Sequence, residues 1–139
     1  MRKTVLLSIC ITLMFLFGCN REKEEGPKIN VSFRNEVKEA DIWIIEDTEA
    51  NRKTTVWGKA HIAKLPENQE TEVSIKASED GNYLFRMIDK DHMFYASETI
   101  CLKDHYSLRI YKEDLSFCLE ICDEQGNVTE TQDLFAGRL

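Results

Sequence analysis

Histidine and glycine are scarce in this chain, and the catalytic motifs that depend on them are missing. His61, His92 and His105 are the only histidines, and none stands in a local motif with a nucleophile or paired carboxylates. The six glycines form neither the Gly-x-Ser-x-Gly turn of a serine nucleophile nor a phosphate-cradling loop. The sequence therefore indicates no enzyme class, and we expect a non-enzymatic protein without a cofactor.

Basic side chains are also in short supply. Of the 18 Lys and Arg residues, Arg2 and Lys3 fall in the leader described below, so 16 remain against 25 Asp and Glu residues, a net charge of −9. Nucleic-acid phosphates would repel such a protein, so we expect no nucleic-acid partner. The acidic balance favours basic partners, cations or an amine-bearing cell-wall polymer.

A long apolar run is absent as well. The longest one, residues 5–17, is broken by Ser8 and Thr12 and would cover only about 20 Å as a helix, which is too short to span a bilayer. With Arg2 and Lys3 before it, this run is typical of a secretory signal helix. We interpret residues 1–18 as a signal peptide.

Leu16-Phe17-Gly18-Cys19 resembles the bacterial lipobox, with Phe17 in place of the small residue usual before glycine. The resemblance implies cleavage before Cys19 and attachment of lipid to its sulfur, because a thiolate attacks an activated lipid to give a stable thioether. Several acyl chains such as palmitate would hold the protein firmly, since each buried methylene contributes about 0.8 kcal/mol. The expected location is a cell membrane, facing outside the cytoplasm, and the outer membrane is included if the cell has two.

Residues 19–28 follow as a charged tether, because residues 20–28 carry no apolar side chain beyond the Gly26-Pro27 break. The 139 residues then leave room for one domain, residues 29–139, and 42% hydrophobic residues suffice for a packed core.

Apolar and polar residues alternate in short stretches through this domain, with polar or glycine-containing breaks about every eight to twelve residues. Ile29, Val31 and Phe33 predict a strand with one face on a core, and residues 40–45 predict a central strand covered on both faces. We predict an all-β fold, an antiparallel β-sandwich, immunoglobulin-like or similar, with seven to nine strands.

Residues 83–88 and 93–96 predict a hairpin across residues 89–92. Residues 46–65 are interpreted as a strand at 54–56 plus a loop, with a short helix at 59–65 as the alternative. The larger aromatic residues are expected in the core more than in a ligand groove: Trp43, Trp57, Phe94 and Tyr95.

Residues 31–35, residues 41–45, Trp57-Gly58 and the hairpin of residues 83–95 resemble small bacterial lipoproteins with a single β-sandwich and no assigned activity. The resemblance implies the fold class and no catalytic residue. With the lipobox, it predicts a membrane-anchored module that binds an unknown protein or cell-envelope ligand.

Cys101, Cys118 and Cys122 leave two interpretations open. One is a disulfide between Cys101 and either of the others, which an extracytoplasmic location permits and which would contribute about 2 to 4 kcal/mol. The other is three free thiols packed as small hydrophobes. With His105 they also form a set of zinc-type ligands, but Cys118 and Cys122 within one strand would be about 13 Å apart.

The alternative function is a small metal-dependent enzyme or metal-binding domain assembled from the three histidines, the cysteines and distant carboxylates. Two acidic stretches, residues 79–82 and 89–91, contain oxygen ligands suited to calcium, but hairpin turns explain both. We therefore assign no metal ligand.

The lipid assignment predicts that Cys19→Ser leaves the chain unprocessed or releases it from the membrane fraction, because the acceptor sulfur is gone. Cell fractionation and the mass of the chain measure both effects. Cys10→Ser, within the signal peptide, is the control and should mature normally. A Cys19→Ser chain that matures to the same size and stays on the membrane would contradict the assignment.

Overall fold

The computed structural model describes residues 26–138, which form eleven strands and one short helix. The signal peptide, Cys19, most of the tether and Leu139 lie outside the described residues. The helix is α1 (Glu49–Lys53), and the strands are β1 (Lys28–Asn35), β2 (Ala40–Glu46), β3 (Ile62–Leu65), β4 (Gln69–Lys76), β5 (Asn82–Asp89), β6 (Met93–Ala96), β7 (Ile100–Cys101), β8 (Ser107–Glu113), β9 (Ser116–Cys122), β10 (Val128–Asp133) and β11 (Phe135–Arg138).

Two packed sheets confirm the predicted all-β sandwich. Sheet A has the order β10-β9-β8-β1-β4, and sheet B has the order β11-β6-β5-β2-β3, with β7 paired to β5. The pairs are antiparallel except β1 with β8, which run parallel over four residues. There are more strands than the seven to nine predicted, because β3, β7 and β11 are only two to four residues long and lack a periodic pattern.

Period-two alternation directs one face of each central strand into the core between the sheets. Val31 and Phe33 of β1 are buried, as are Tyr83 and Phe85 of β5. The rings of Phe33 and Phe85 stack across the two sheets, with centroids 5.6 Å apart. Each such side chain contributes about 1.5–3 kcal/mol by leaving water, so this core holds the sandwich together.

The second face of sheet B is buried in part, within the segment of residues 40–45 that was predicted to be covered on both faces. Ile42 and Ile44 of β2 enter the core, whereas Trp43 points to the outer face and is only 8% exposed. On β5, Leu84 and Arg86 share that outer face and are also buried. Something outside the sheet must therefore cover it.

The segment between β2 and β3 provides the cover, and its predicted secondary structure is wrong in detail. The helix lies at residues 49–53 and not at 59–65, and residues 54–56 form no strand. Thr48 caps the helix by accepting a hydrogen bond from the Asn51 backbone N–H. We call residues 47–60 the cover segment.

The two ends of the sandwich differ. At the N-terminal pole, Lys28 begins β1 beside Lys76. About 23 Å away along β1, the distal pole is formed where Asn35 ends the strand and Ala40 pairs with Asp89. The chain therefore enters β1 at one pole and has its β1–β2 turn at the other.

Asn35 organises the distal pole from inside. Its side chain is fully buried, donates to the carbonyl oxygens of Lys38 at 2.6 Å and Leu65 at 3.0 Å, and accepts from the Val37 N–H at 3.0 Å. These bonds join the β1–β2 turn to the end of β3.

We expect Asn35→Ala to lower the free energy of unfolding by about 3 kcal/mol, because it removes the partner of buried backbone groups. Urea unfolding measures the change. Asn127→Ala, in an exposed turn, is the matched control and should stay within about 1 kcal/mol of the parent. Equal effects of the two substitutions would refute the role of Asn35.

Candidate functional site

A cavity with a volume of about 710 Å³ opens at the distal pole. Its apolar floor includes Val37 and the rings of Tyr95 and Phe117, which stack with centroids 4.6 Å apart. Leu115 stands beside it at the tip of the β8–β9 hairpin and is 95% exposed. We call this cavity the distal cleft.

The rim of the distal cleft carries both signs of charge: Glu36, Lys38, Glu39, Glu67, Lys90 and Lys112. Several of these charges are already paired. Lys38 lies 2.9 Å from Asp91, and hydrogen bonding to that carboxylate raises the pKa of Lys38. An apolar floor with a mixed polar rim is typical of a surface that binds a partner.

A second candidate site lies on the outer face of sheet B, beneath the cover segment. Trp57 of the cover segment stacks on Phe94 and packs against Trp43, each with ring centroids 5.5 Å apart. The Trp43 indole N–H donates to the Gly58 carbonyl at 3.1 Å. The indole N–H of Trp57 is buried and has no hydrogen-bond partner among the described residues. Trp57 is therefore held against Trp43 and Phe94 by apolar packing.

Arg86 lies on the same face, directly opposite Trp43 and Ala96 in the sheet. It is 8% exposed and lines a cavity of about 330 Å³, together with Leu84, Ala96 and Phe135. Nη1 donates to the carbonyl oxygens of Phe85 at 2.8 Å and Ser97 at 3.0 Å. Burial lowers the pKa of the guanidinium, against the attraction of Asp47 and Glu98.

The Asp47 carboxylate already accepts hydrogen bonds from residues other than Arg86. Its carboxylate receives a hydrogen bond of 2.7 Å from Arg52 Nη2 and another from the Thr99 hydroxyl, and these bonds lower its pKa although burial opposes the shift. Arg52 also donates to the Thr99 hydroxyl at 3.1 Å. This cluster attaches helix α1 to the segment after β6.

The three cysteines of the domain are free thiols in the structure. Cys101 lies in sheet B, whereas Cys118 and Cys122 lie on one face of β9 in sheet A. Burial raises the pKa of Cys118 to about 11, with a further contribution from its hydrogen bond to Asp133. The structure therefore contains neither a Cys101–Cys118 nor a Cys101–Cys122 disulfide, and a disulfide stays a hypothesis.

The histidines are spread over the domain. His92 lies in the β5–β6 turn at the distal pole. His105 lies near the N-terminal pole, where its backbone N–H donates to the Asn30 carbonyl. His61 Nδ1 accepts from the Ile44 N–H at 3.0 Å, and desolvation lowers the pKa of His61. Residues 26–138 contain no group of three His, Cys, Asp or Glu side chains placed to hold a metal ion.

The two acidic stretches are built as turns. Asp89 Oδ1 accepts from the backbone N–H groups of Asp91 and Met93, which closes the predicted hairpin. Asp80 Oδ1 likewise accepts from the Ser78 hydroxyl and the Asn82 N–H. Both carboxylates thus accept hydrogen bonds from residues of their own turns.

No protein-family model, curated protein or solved structure matches the chain. Within the described part of the chain, no helix has the length and apolar character to cross a membrane.

The cysteine environments predict an order of alkylation under native conditions. Exposed Cys101 should react first, and Cys118 should react at least about tenfold more slowly, because its raised pKa leaves little thiolate. Timed iodoacetamide treatment followed by peptide mass spectrometry measures this order. Cys101→Ser should remove the fast site and Cys118→Ser should keep it. A protected Cys101 would refute the free-thiol arrangement and favour the disulfide.

Proposed function

We propose that this protein is an exported lipoprotein, held on a membrane through lipid on Cys19, whose β-sandwich is a non-enzymatic module that binds a partner outside the cytoplasm. The lipobox-like Leu16-Phe17-Gly18-Cys19 supports the anchor. The sandwich fold supports the module, because strands fixed by a packed core present loops and turns at each pole.

The observation that carries the proposal is the position of the distal cleft. The tether joins the domain at Lys28, and the cleft lies at the opposite pole, about 23 Å along β1. The tether adds reach, since nine extended residues cover about 30 Å. A domain anchored in this way holds the distal cleft away from the lipid headgroups, where a second molecule has access to it.

The chemistry of the cleft fits a protein or a cell-envelope polymer. Phe117 and Tyr95 offer aromatic surface, and exposed Leu115 adds an apolar contact at the edge. The rim contains lysines and glutamates, so a partner with charges of either sign can be oriented. The net charge of −9 favours a partner that is basic overall.

Site-specific photo-crosslinking in native membranes tests which pole meets the partner. With benzoylphenylalanine in place of Leu115, we expect a discrete adduct of higher mass after illumination. The same photo-reactive residue in place of exposed Lys103, near the N-terminal pole, is the matched control and should give none.

Excess of the unlabelled full-length protein should compete with the adduct at position 115. Identical adducts from both positions, or none from position 115 in membranes that contain the anchored protein, would contradict binding at the distal pole.

A further inference from the structure

Arg86 presents a charge that the described part of the protein does not neutralise. None of the ion pairs found in residues 26–138 includes it, although it is 8% exposed. Moving a cation out of water is unfavourable unless an anion accompanies it, and buried arginines are usually paired. The Arg86 guanidinium therefore lacks a paired carboxylate among residues 26–138.

The nearby acids do not supply this carboxylate. Asp47 is held by Arg52 and Thr99, as described above. Glu98 is exposed, and its backbone N–H is bound by the Gln132 side chain at 2.9 Å. Both carboxylates attract the guanidinium from a distance, and neither makes a hydrogen bond to it.

The bonding pattern of the guanidinium leaves one edge free. Its two hydrogen bonds both come from Nη1 and fix the plane of the group against the Phe85 and Ser97 carbonyls. Nε and Nη2 have no hydrogen-bond partner among residues 26–138 and are not fully enclosed. Two parallel N–H groups on one edge match the two oxygens of a carboxylate.

The other walls restrict the kind of anion. Leu84 and Ala96 are apolar, and Phe135, 70% exposed, stands at the opening. Glu98 and Asp133 also line the cavity and would repel a second negative charge, which disfavours phosphate. About 330 Å³ is near the lower limit for small-molecule pockets.

We propose that this cavity binds a carboxylate carried on a short apolar group, with the Nε and Nη2 edge of Arg86 holding the two oxygens and Leu84, Ala96 and Phe135 contacting the apolar part. The site is separate from the distal cleft, so its test is independent of the crosslinking result. The carboxylate belongs either to a small free acid or to the carboxyl terminus of a peptide.

Titration of the full-length protein in detergent with phenylacetate tests the proposal. The only two tryptophans, Trp43 and Trp57, both lie on this face, so their fluorescence reports binding. We expect a saturable change with phenylacetate and at least about tenfold weaker binding of neutral phenylacetamide, because the amide lacks the charge. Inorganic phosphate should also bind more weakly than phenylacetate.

The matched variants separate recognition from folding. Arg86→Met should weaken phenylacetate binding at least about tenfold, and Arg86→Lys should weaken it less, since lysine keeps the charge and loses the planar edge. Arg138→Met, an exposed position on β11 of the same sheet, should bind like the parent. The comparison of acid with amide needs no variant, so it decides the question even if Arg86→Met fails to fold.

A short N-acetylated peptide that ends in phenylalanine distinguishes the two sources. Tighter binding of the free-terminus peptide than of phenylacetate identifies a peptide carboxyl terminus, and the reverse identifies a small acid. The proposal is overturned if phenylacetate gives no saturable fluorescence change at millimolar concentration. It is also overturned if phenylacetamide or phosphate binds as tightly as phenylacetate, or if folded Arg86→Met binds phenylacetate as tightly as the parent.

Discussion

The packing of Trp57 onto Trp43 and Phe94 holds the cover segment against sheet B, and the surroundings of Arg86 depend on it. Without the cover segment, Trp43 and Leu84 would form part of an exposed apolar face, and Arg86 would be an ordinary solvated arginine. With it, Trp43, Leu84 and Arg86 are buried, and helix α1 brings Arg52 to the edge of the cavity. Aromatic pairs contribute about 0.5–1.5 kcal/mol beyond the area that they bury, so these two contacts give a five-residue helix a defined place.

The outer faces of the two sheets show how differently one residue type can be used. On sheet A, Arg109 binds Glu36 and Glu120, lies 4.2 Å from the centre of the Tyr111 ring, and has a raised pKa chiefly because of Glu120. On sheet B, Arg86 has two carbonyl partners, no carboxylate partner in the described residues, and a pKa lowered by burial. The first is an internally neutralised surface network. The second is the arrangement that a site for an external anion requires.

The strands of the core were predictable because alternation with period two is a local property, and Val31, Phe33, Leu119 and Ile121 all follow it. Alternation also places Arg86 on the outer face of sheet B, and a charged residue on an outer face is predicted to be solvated. Its burial involves residues distant in the chain, because Arg52, more than thirty residues earlier, and residues 97–99 line the cavity beside it. Helix α1 was missed although Thr48 and Glu49 supply a capping residue and an acidic first turn, because five residues give no periodic signal.

The distal cleft could not be predicted from the sequence, because its position depends on which turns meet at one pole. That in turn depends on the strand order.

The domain has a cavity of about 710 Å³ at its distal pole and a buried cation beside a second cavity on the outer face of sheet B, so it offers two separate places for a ligand. In the more specific of the two, Arg86 keeps one edge of its guanidinium free for an external carboxylate. Heteronuclear NMR of the arginine side-chain N–H groups measures this directly during a phenylacetate titration. We expect the Arg86 Nε–H resonance to shift and saturate, while those of Arg34 and Arg109, which already bind carboxylates, stay in place. An unchanged Arg86 resonance, or equal shifts at all three arginines, would contradict it.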